Sequence, residues 1–352
     1  MPEIIPTKPL RPVRQKDIAR RAGVTIAAVS LALRNSPEVS PALRRRVTTL
    51  ARKMGYVPDP TLQALARYRK TVLPPSERST IAFLYAADAE KPPRSWADTH
   101  LRRSLLECAE EYANRLGYHV EFINIGLTSA EQRRTSRILR ARGLRGALLH
   151  CNPLKPDEVQ TNFDNIAVVT LFNEQETPRF HTVGHNHFHG METAIQQIAL
   201  RGYVRPLAII NNDTIASRLW QGAFDNFCQH HPQFRPSLIN VSSFWTNPLP
   251  LIRKHRADAL IVSWDRNILR QLLTGCGLHV PQDIGYCILD TDQNAISGSG
   301  IFQRSSAVLS VGIDLLDRQL QRNEFGIQPN PLQIALNGYW VEGTSLRPGP
   351  KG

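Results

Sequence analysis

The chain has 352 residues, 41% of them hydrophobic, enough for two or three domains with real cores. Its net charge of +13 is uneven: residues 1–75 hold 15 Lys+Arg against 4 Asp+Glu and the rest hold 28 against 26, so a basic head suited to a polyanion precedes a nearly neutral body. No apolar run approaches the ~18 residues of a membrane span, and the five cysteines never fall as CxxC, which points to free thiols rather than a disulfide frame or a metal site.

The opening "MPEIIPTKPLRPVR" has no long apolar core and no cleavage signature, so residues 1–13 read as a disordered arm and a cytoplasmic protein is expected. From Arg14, Ile18, Ala19 and Ala22 form one side of a first helix, and Gly23 can supply its stop. Thr25 is a good N-cap for a second helix, with Val29 and Leu33 inward and Ala28 and Ala32 allowing close approach. Thr25, Ala27, Ser30, Leu31 and Arg34 then fall mostly outward. Ser40 caps a third helix and Pro41 suits its first position; Leu43, Val47, Leu50, Ala51 and Met54 repeat at helical spacing, Arg44, Arg45 and Arg46 decorate its start, and Gly55 ends it. Three short helices with a basic surface make a helix-turn-helix domain over residues 14–57, whose second helix enters the major groove.

Asp59 and Pro60 then start a short helix with Leu62, Leu65 and Ala66, ending in Arg67, Arg69 and Lys70. At about two and a half turns it is marginal alone in water and needs a partner to order. Residues 58–78 are assigned to this hinge and the linker "VLPPSE".

From Ser79 the pattern alternates between apolar strands and amphipathic helices. Strands are expected at 80–86, "YHVEFINI", "GALLHC" and "IAVVTLF", with helices near 99–116 and 129–142. A second set runs from "HTVGHN" through helices near 186–200, 216–230 and 266–275, with strands "PLAIINN", "ADALIVSW" and "IGYCILD". Such alternation implies parallel sheets covered on both faces. Two units in succession suggest two lobes over 79–346, with a ligand cleft at the carboxyl ends of their strands and a tail at 347–352.

The stretch "KDIARRAGVTIAAVS…LRNSPEVSPALRRRVTTLARKMGYVPDP" resembles the N-terminus of the lactose-repressor (LacI) family of bacterial transcription regulators, closely over the head and more loosely to about Leu346. The resemblance implies a helix-turn-helix DNA-binding domain followed by a two-lobed α/β effector domain like periplasmic sugar-binding proteins. It implies DNA contacts from Thr25, Ile26, Ala27, Ser30, Leu31, Arg34, Asn35, Tyr56 and Arg67, and a hinge leucine, Leu65, wedged into the minor groove. Ile26, Ala27 and Leu31 stand where the family usually has polar or basic side chains; they can touch a thymine methyl but cannot hydrogen-bond base edges. In the body, "SWDRNIL", "ILDTD" and "GIFQRSSAVLSVGIDLL" match family segments and make Asp265, Asp290, Asp292 and Gln303 effector candidates. Trp220 occupies the place of a family ligand-clamping arginine, with Arg218 two residues earlier; Trp220 either stacks on a sugar face or packs.

His181, His185, His187 and His189 invite a metal reading, but their stretch bridges a strand and a helix start, and no metal is expected. "SGSG" lacks the lysine of a phosphate loop and GxSxG is absent, so neither a cofactor nor an enzyme is expected. The reading is a ligand-responsive regulator, a repressor acting as a homodimer on double-stranded operator DNA, with a sugar-like effector and no membrane association. A solute-binding protein would lack the basic head; an architectural DNA-binding protein would lack the body.

Overall fold

The computed structural model describes residues 13–33, 35–36, 38–56, 79–86, 100–150, 159–172, 180–211, 215–231, 234, 236–241, 248–263, 266–291 and 298–349. Arg34, Leu65, Arg67, Asp265 and Asp292, and with them the expected hinge helix, lie outside the described residues.

In the head, α1 (Gln15–Ala22), α2 (Ile26–Leu33) and α3 (Pro41–Lys53) form as expected. Gly23 takes φ 64°, a left-handed conformation that costs glycine nothing, and Val24 N–H donates back to Ala19 O at 3.1 Å. This stops α1 and turns the chain within three residues. Thr25 Oγ1 accepts from Ala28 N–H at 3.1 Å and Ser40 Oγ from Leu43 N–H at 3.3 Å, so both expected caps are made. Ile18, Ala19, Val29, Ala32, Val39, Val47 and Ala51 are buried together, with Leu31, Leu33, Leu43, Leu50 and Met54 half-buried around them. Two of the arginines opening α3 do more than decorate it. Arg44 donates to Ser36 O at 2.7 Å and Arg46 to Ala22 O at 2.8 Å, tying α3 to the preceding loop and to the end of α1.

The chain divides into two compact units: Met1–Val169 with Thr177–His181 and Ser310–Pro331, and Thr170–Glu176 with Thr182–Leu309 and Leu332–Gly352. The lobes are therefore not two successive runs of sequence, because the chain crosses between units more than once.

The body elements in chain order are β1 (Ser79–Tyr85), α4 (His100–Arg115), β2 (Tyr118–Asn124), α5 (Ser129–Ala141), β3 (Gly146–His150), β4 (Ala167–Leu171), β5 (His181–His185), α6 (His187–Leu200), β6 (Pro206–Asn211), α7 (Ile215–His230), β7 (Ser237–Val241), α8 (Leu249–His255), β8 (Ala259–Val262), α9 (Arg266–Gly275), β9 (Gly285–Ile288), β10 (Ser299–Phe302), α10 (Ser305–Arg322), β11 (Gln333–Leu336) and β12 (Tyr339–Val341). One sheet has the order β11-β5-β4-β3-β1-β2, the other β12-β10-β9-β8-β6-β7. β1 pairs in parallel with β2 and β3, β5 with β11, β6 with β7 and β8, and β9 with β8 and β10, while β12 closes its sheet antiparallel to β10.

In the second sheet, side chains alternate faces with the two-residue period of a strand. Ala208, Ile210, Ala259, Ile261, Cys287, Leu289 and Ile301 join one cluster, while Leu207, Ile209, Leu260, Val262, Tyr286 and Ile288 join another. That double burial is why these strands read as continuous apolar runs. Gly300 allows the closest approach: a Cβ there would lie 2.2 Å from Ile288 O. Burial also pushes the Cys287 thiol pKa up, keeping it protonated. Packing continues past the expected boundary at 346, since Arg347 N–H donates to Tyr203 Oη at 3.0 Å and its guanidinium lies over that ring.

Candidate functional site

Two places in the molecule present chemistry beyond packing. The first is the outer face of α2. Thr25, Ile26 and Ala27 are exposed, Ile26 to 53%, whereas Ser30 and Leu31 are only partly so and Leu31 leans on the head core. Asn35 follows the helix with φ 58° and is exposed. Tyr56 packs at the edge of the core, its hydroxyl accepting from Gln15 Nε2 at 3.2 Å.

The second place lies within the second compact unit, at the carboxyl ends of strands. Phe172 follows β4, His185 ends β5, Thr291 lies shortly past β9 and Gln303 directly past β10. Four aromatic rings run in contact. Phe172 and His185 centroids are 5.4 Å apart, His185 and His187 5.6 Å, and His187 and Trp220 5.1 Å, the last two edge to face. His185 Nε2 lies 3.5 Å from Ser305 Oγ. Phe172 holds φ 65°, a left-handed conformation that costs a bulky residue energy and persists only where surroundings impose it.

The array is buried and uncharged. His185 is 7% exposed and burial pulls its pKa down to about 4, against a hydrogen bond with the Gln303 backbone that raises it. His187 is 8% exposed, and burial, then the charge of a protonated His185, takes it to about 3. Both imidazoles are neutral at physiological pH. Among the described residues His187 Nδ1, the Trp220 indole N–H, Gln303 Oε1 and Thr291 Oγ1 are buried without a hydrogen-bond partner. Gln303 spends its amide on Leu289 O, which Nε2 meets at 2.6 Å, leaving its carbonyl unused. Each of the four is a group that a hydroxyl could satisfy: an obligate donor, an obligate acceptor and two able to do either.

Of the residues singled out in the sequence, Trp220 and Gln303 come to this array. Asp290 is exposed beyond the end of β9. Arg218 is exposed on α7, two residues from Trp220 and so about 200° round the helix. His185 and His187, weighed above only as metal ligands, are the array's centre. Among the described residues no three metal-ligating side chains converge, and no helix is long and apolar enough to cross a membrane. Phe172, Thr291 and Ser305 carry no sequence signal of their own; only the fold brings them there.

Residues 15–59 match the sequence model for "Bacterial regulatory proteins, lacI family". The sucrose operon repressor of Escherichia coli is 23% identical over 322 residues, covering 86% of this chain and 91% of that protein. The head thus carries a lacI-family domain, and likeness to a full-length repressor runs along most of the chain. Solved structures share its fold. A lac repressor dimer bound to operator and an anti-inducer superposes with a TM-score of 0.59 at 18% identity, covering 96% of this chain and all of that one. A periplasmic binding protein/LacI regulator from Alkaliphilus metalliredigens QYMF, complexed with D-xylulofuranose, gives 0.58 at 16% identity over 76% of this chain and 99% of its own. The regulator thus joins a helix-turn-helix DNA-binding head to an α/β body of periplasmic-binding-protein type, in a family of DNA-binding regulators rather than enzymes.

Proposed function

We propose that this regulator is a ligand-responsive repressor that binds a pseudo-palindromic operator as a homodimer and takes a sugar or related small polar metabolite as effector. The observation that carries the effector reading is the buried array of His187, Trp220 and Gln303, whose partnerless polar atoms suit hydroxyl groups. The names of its relatives, a sucrose operon repressor and a D-xylulofuranose complex, point to the same chemistry. Asp265, Asp290 and Arg218 complete the proposed effector set.

Residues 14–57 read DNA through Thr25, Ile26, Ala27, Ser30, Leu31, Arg34 and Asn35, with Tyr56 beside them. Residues 58–78 form the hinge, with Leu65 as minor-groove wedge and Arg67 on the backbone. The body, 79–346, binds effector and pairs the subunits, since two heads on a two-fold site bury the DNA surface that strong specificity needs. Effector binding shifts the population of the DNA-competent state by its differential affinity for the two states.

A thermal-shift screen of neutral sugars, followed by operator mobility shifts with and without the best stabiliser, tests this. A sugar that raises the melting temperature and changes operator affinity supports it. A chain that holds its operator identically with every sugar, none of which stabilises it, overturns the effector assignment while leaving the head's DNA binding standing.

A further inference from the structure

Helix α5 carries more positive charge than its own stability needs. Its N-terminus is closed by a reciprocal cap: Glu131 N–H donates to Thr128 Oγ1 at 3.3 Å and Thr128 N–H to Glu131 Oε2 at 2.9 Å. Its buried side is Gln132, Thr135 and Leu139. The opposite side presents Arg133, Arg137 and Arg140 at i, i+4 and i+7, with Arg134 beside them, and all four are exposed. None of the four makes an ion pair among the described residues. Arg142 and Arg145 continue the run towards β3 but are engaged, Arg142 with Glu121, and Arg145 with Asn323 Oδ1 at 3.1 Å and the Phe325 ring at 4.6 Å.

A structural account of this stripe fails on sign. Like charges three and four residues apart on a helix destabilise it, and positive charge near a helix N-terminus opposes the dipole. Dipole complementarity accounts for Arg140 near the C-terminus, not for Arg133 or Arg134. The neighbouring helices mix their signs: α4 has Glu110 and Glu111 with Arg115, and α10 has Asp314 and Asp317 with Arg318 and Arg322. The stripe therefore stands out on a body that is close to neutral overall.

Connectivity supplies the partner. Strands β1, β2 and β3 are parallel and begin at one edge of their sheet, Ser79 beside Tyr118 and Ala82 beside Ala147. Helix α5 joins β2 to β3 and so runs back antiparallel to them, delivering Arg140 to that same edge. The chain arriving from the DNA-binding head enters the body there, at Ser79. From Arg133 to Arg140 the stripe spans about 10 Å along the helix and leads to that edge. A duplex held by the head is tethered to it by a short linker, which raises its effective concentration at the stripe.

We infer that Arg133, Arg137 and Arg140 form a second, sequence-independent contact with the phosphate backbone of duplex DNA flanking the operator, a reading that rests on DNA binding by the head. The test uses the full-length chain and its Arg133→Gln/Arg137→Gln/Arg140→Gln variant. Affinity is measured over a salt series on an operator with long flanks and on a duplex trimmed to the operator. On the flanked duplex the slope of log affinity against log salt should be shallower in the variant by between roughly two and three, about 0.9 per lost phosphate contact. On the trimmed duplex the two proteins should coincide, and an Arg→Lys triple variant should keep the parent slope on both. Equal slopes for parent and Gln variant on the flanked duplex overturn the inference, leaving the stripe to an acidic protein. Failure of the parent to bind the operator at all would instead count against the head, so the two readings fail separately.

Discussion

The head and the second compact unit solve opposite problems with the same kinds of residue. In the head, seven buried apolar side chains among the described residues hold three helices together, four of them alanine or valine on α2 and α3, and the candidate face points outward. In the second unit two broad apolar clusters cover the faces of a six-stranded sheet, and the candidate site is turned inward, buried among aromatic rings. A small core leaves little reserve, because net stability is a small difference between large terms. A large core can hold unsatisfied polar atoms and a strained Phe172. The difference teaches where each part is vulnerable: the head through its packing, the second unit through its polar atoms.

The sharpest way to break this comparison is Ile18→Ala. Ile18 is fully buried at the centre of the head, and such truncations cost about 2–5 kcal/mol. Calorimetry should show the head unfolded near room temperature and operator binding lost, with the body's melting transition unmoved. A body transition that shifted equally would show the head and body to be one cooperative unit.

Acid comes next. His185 and His187 have folded pKa values lowered to about 4 and about 3 from 6.5. The unfolded chain therefore binds protons first as pH falls, so their contribution is complete above 6.5 and drains away between 6.5 and their folded values. Each histidine can remove up to about 1.4 kcal/mol per pH unit in that window. Denaturant titrations at pH 7, 6 and 5 should show the second unit losing stability steeply, and His187→Phe should flatten that slope. Effector affinity should be flat from pH 7 to 8. A parent whose stability is unchanged down to pH 5 would mean these rings are not buried neutral.

Trp220→Phe separates the site from the core more finely. It keeps a ring beside His187 but deletes the indole N–H, which has no acceptor among the described residues. Removing an unsatisfied buried donor relieves a cost, while losing one bond to ligand costs about 1 kcal/mol. Effector affinity should fall several-fold with little loss of melting temperature. Unchanged affinity would return Trp220 to packing.

The smallest effect is at Ile26, exposed on α2. Ile26→Ala should alter stability by less than about 0.5 kcal/mol, yet weaken preference for a thymine at one operator position by a few-fold, read by binding to single-base operator variants. Equal affinities across those variants would remove Ile26 from recognition.

The head was legible nearly residue by residue. Gly23, Thr25, Ser40 and Pro41 act through bonds to neighbours three or four residues away, so their chemistry is written locally. The body's alternating elements are also legible as far as β9, apart from β7 and α8, because strands buried on both faces must be apolar throughout. Beyond β9 the sequence pattern does not announce β10, α10, β11 or β12. Edge strands such as β11, half-exposed and only four residues long, carry too weak a period to stand out. Helix α10 has clear periodicity in Val308, Leu309, Ile313 and Leu316, all buried.

What the sequence by itself determined is everything that depends on near neighbours along the chain: the three-helix head with its turn and caps, the net positive charge concentrated in the first 75 residues, and the strand–helix alternation of the body. What only the tertiary structure decided is which distant residues meet. Nothing in the spacing of Phe172, His185, His187, Trp220, Thr291 and Gln303 brings them together. Phe172 and His185 follow strands of one sheet and Thr291 and Gln303 strands of the other, because parallel strands deliver the residues after them to one end of each sheet, while Trp220 comes from a helix. The same geometry carried Arg140 back to the edge where β1 begins at Ser79. Whether an indole N–H or an amide oxygen is satisfied depends on atoms brought in from other elements, so the partnerless groups that mark the candidate ligand site exist only once the chain has folded.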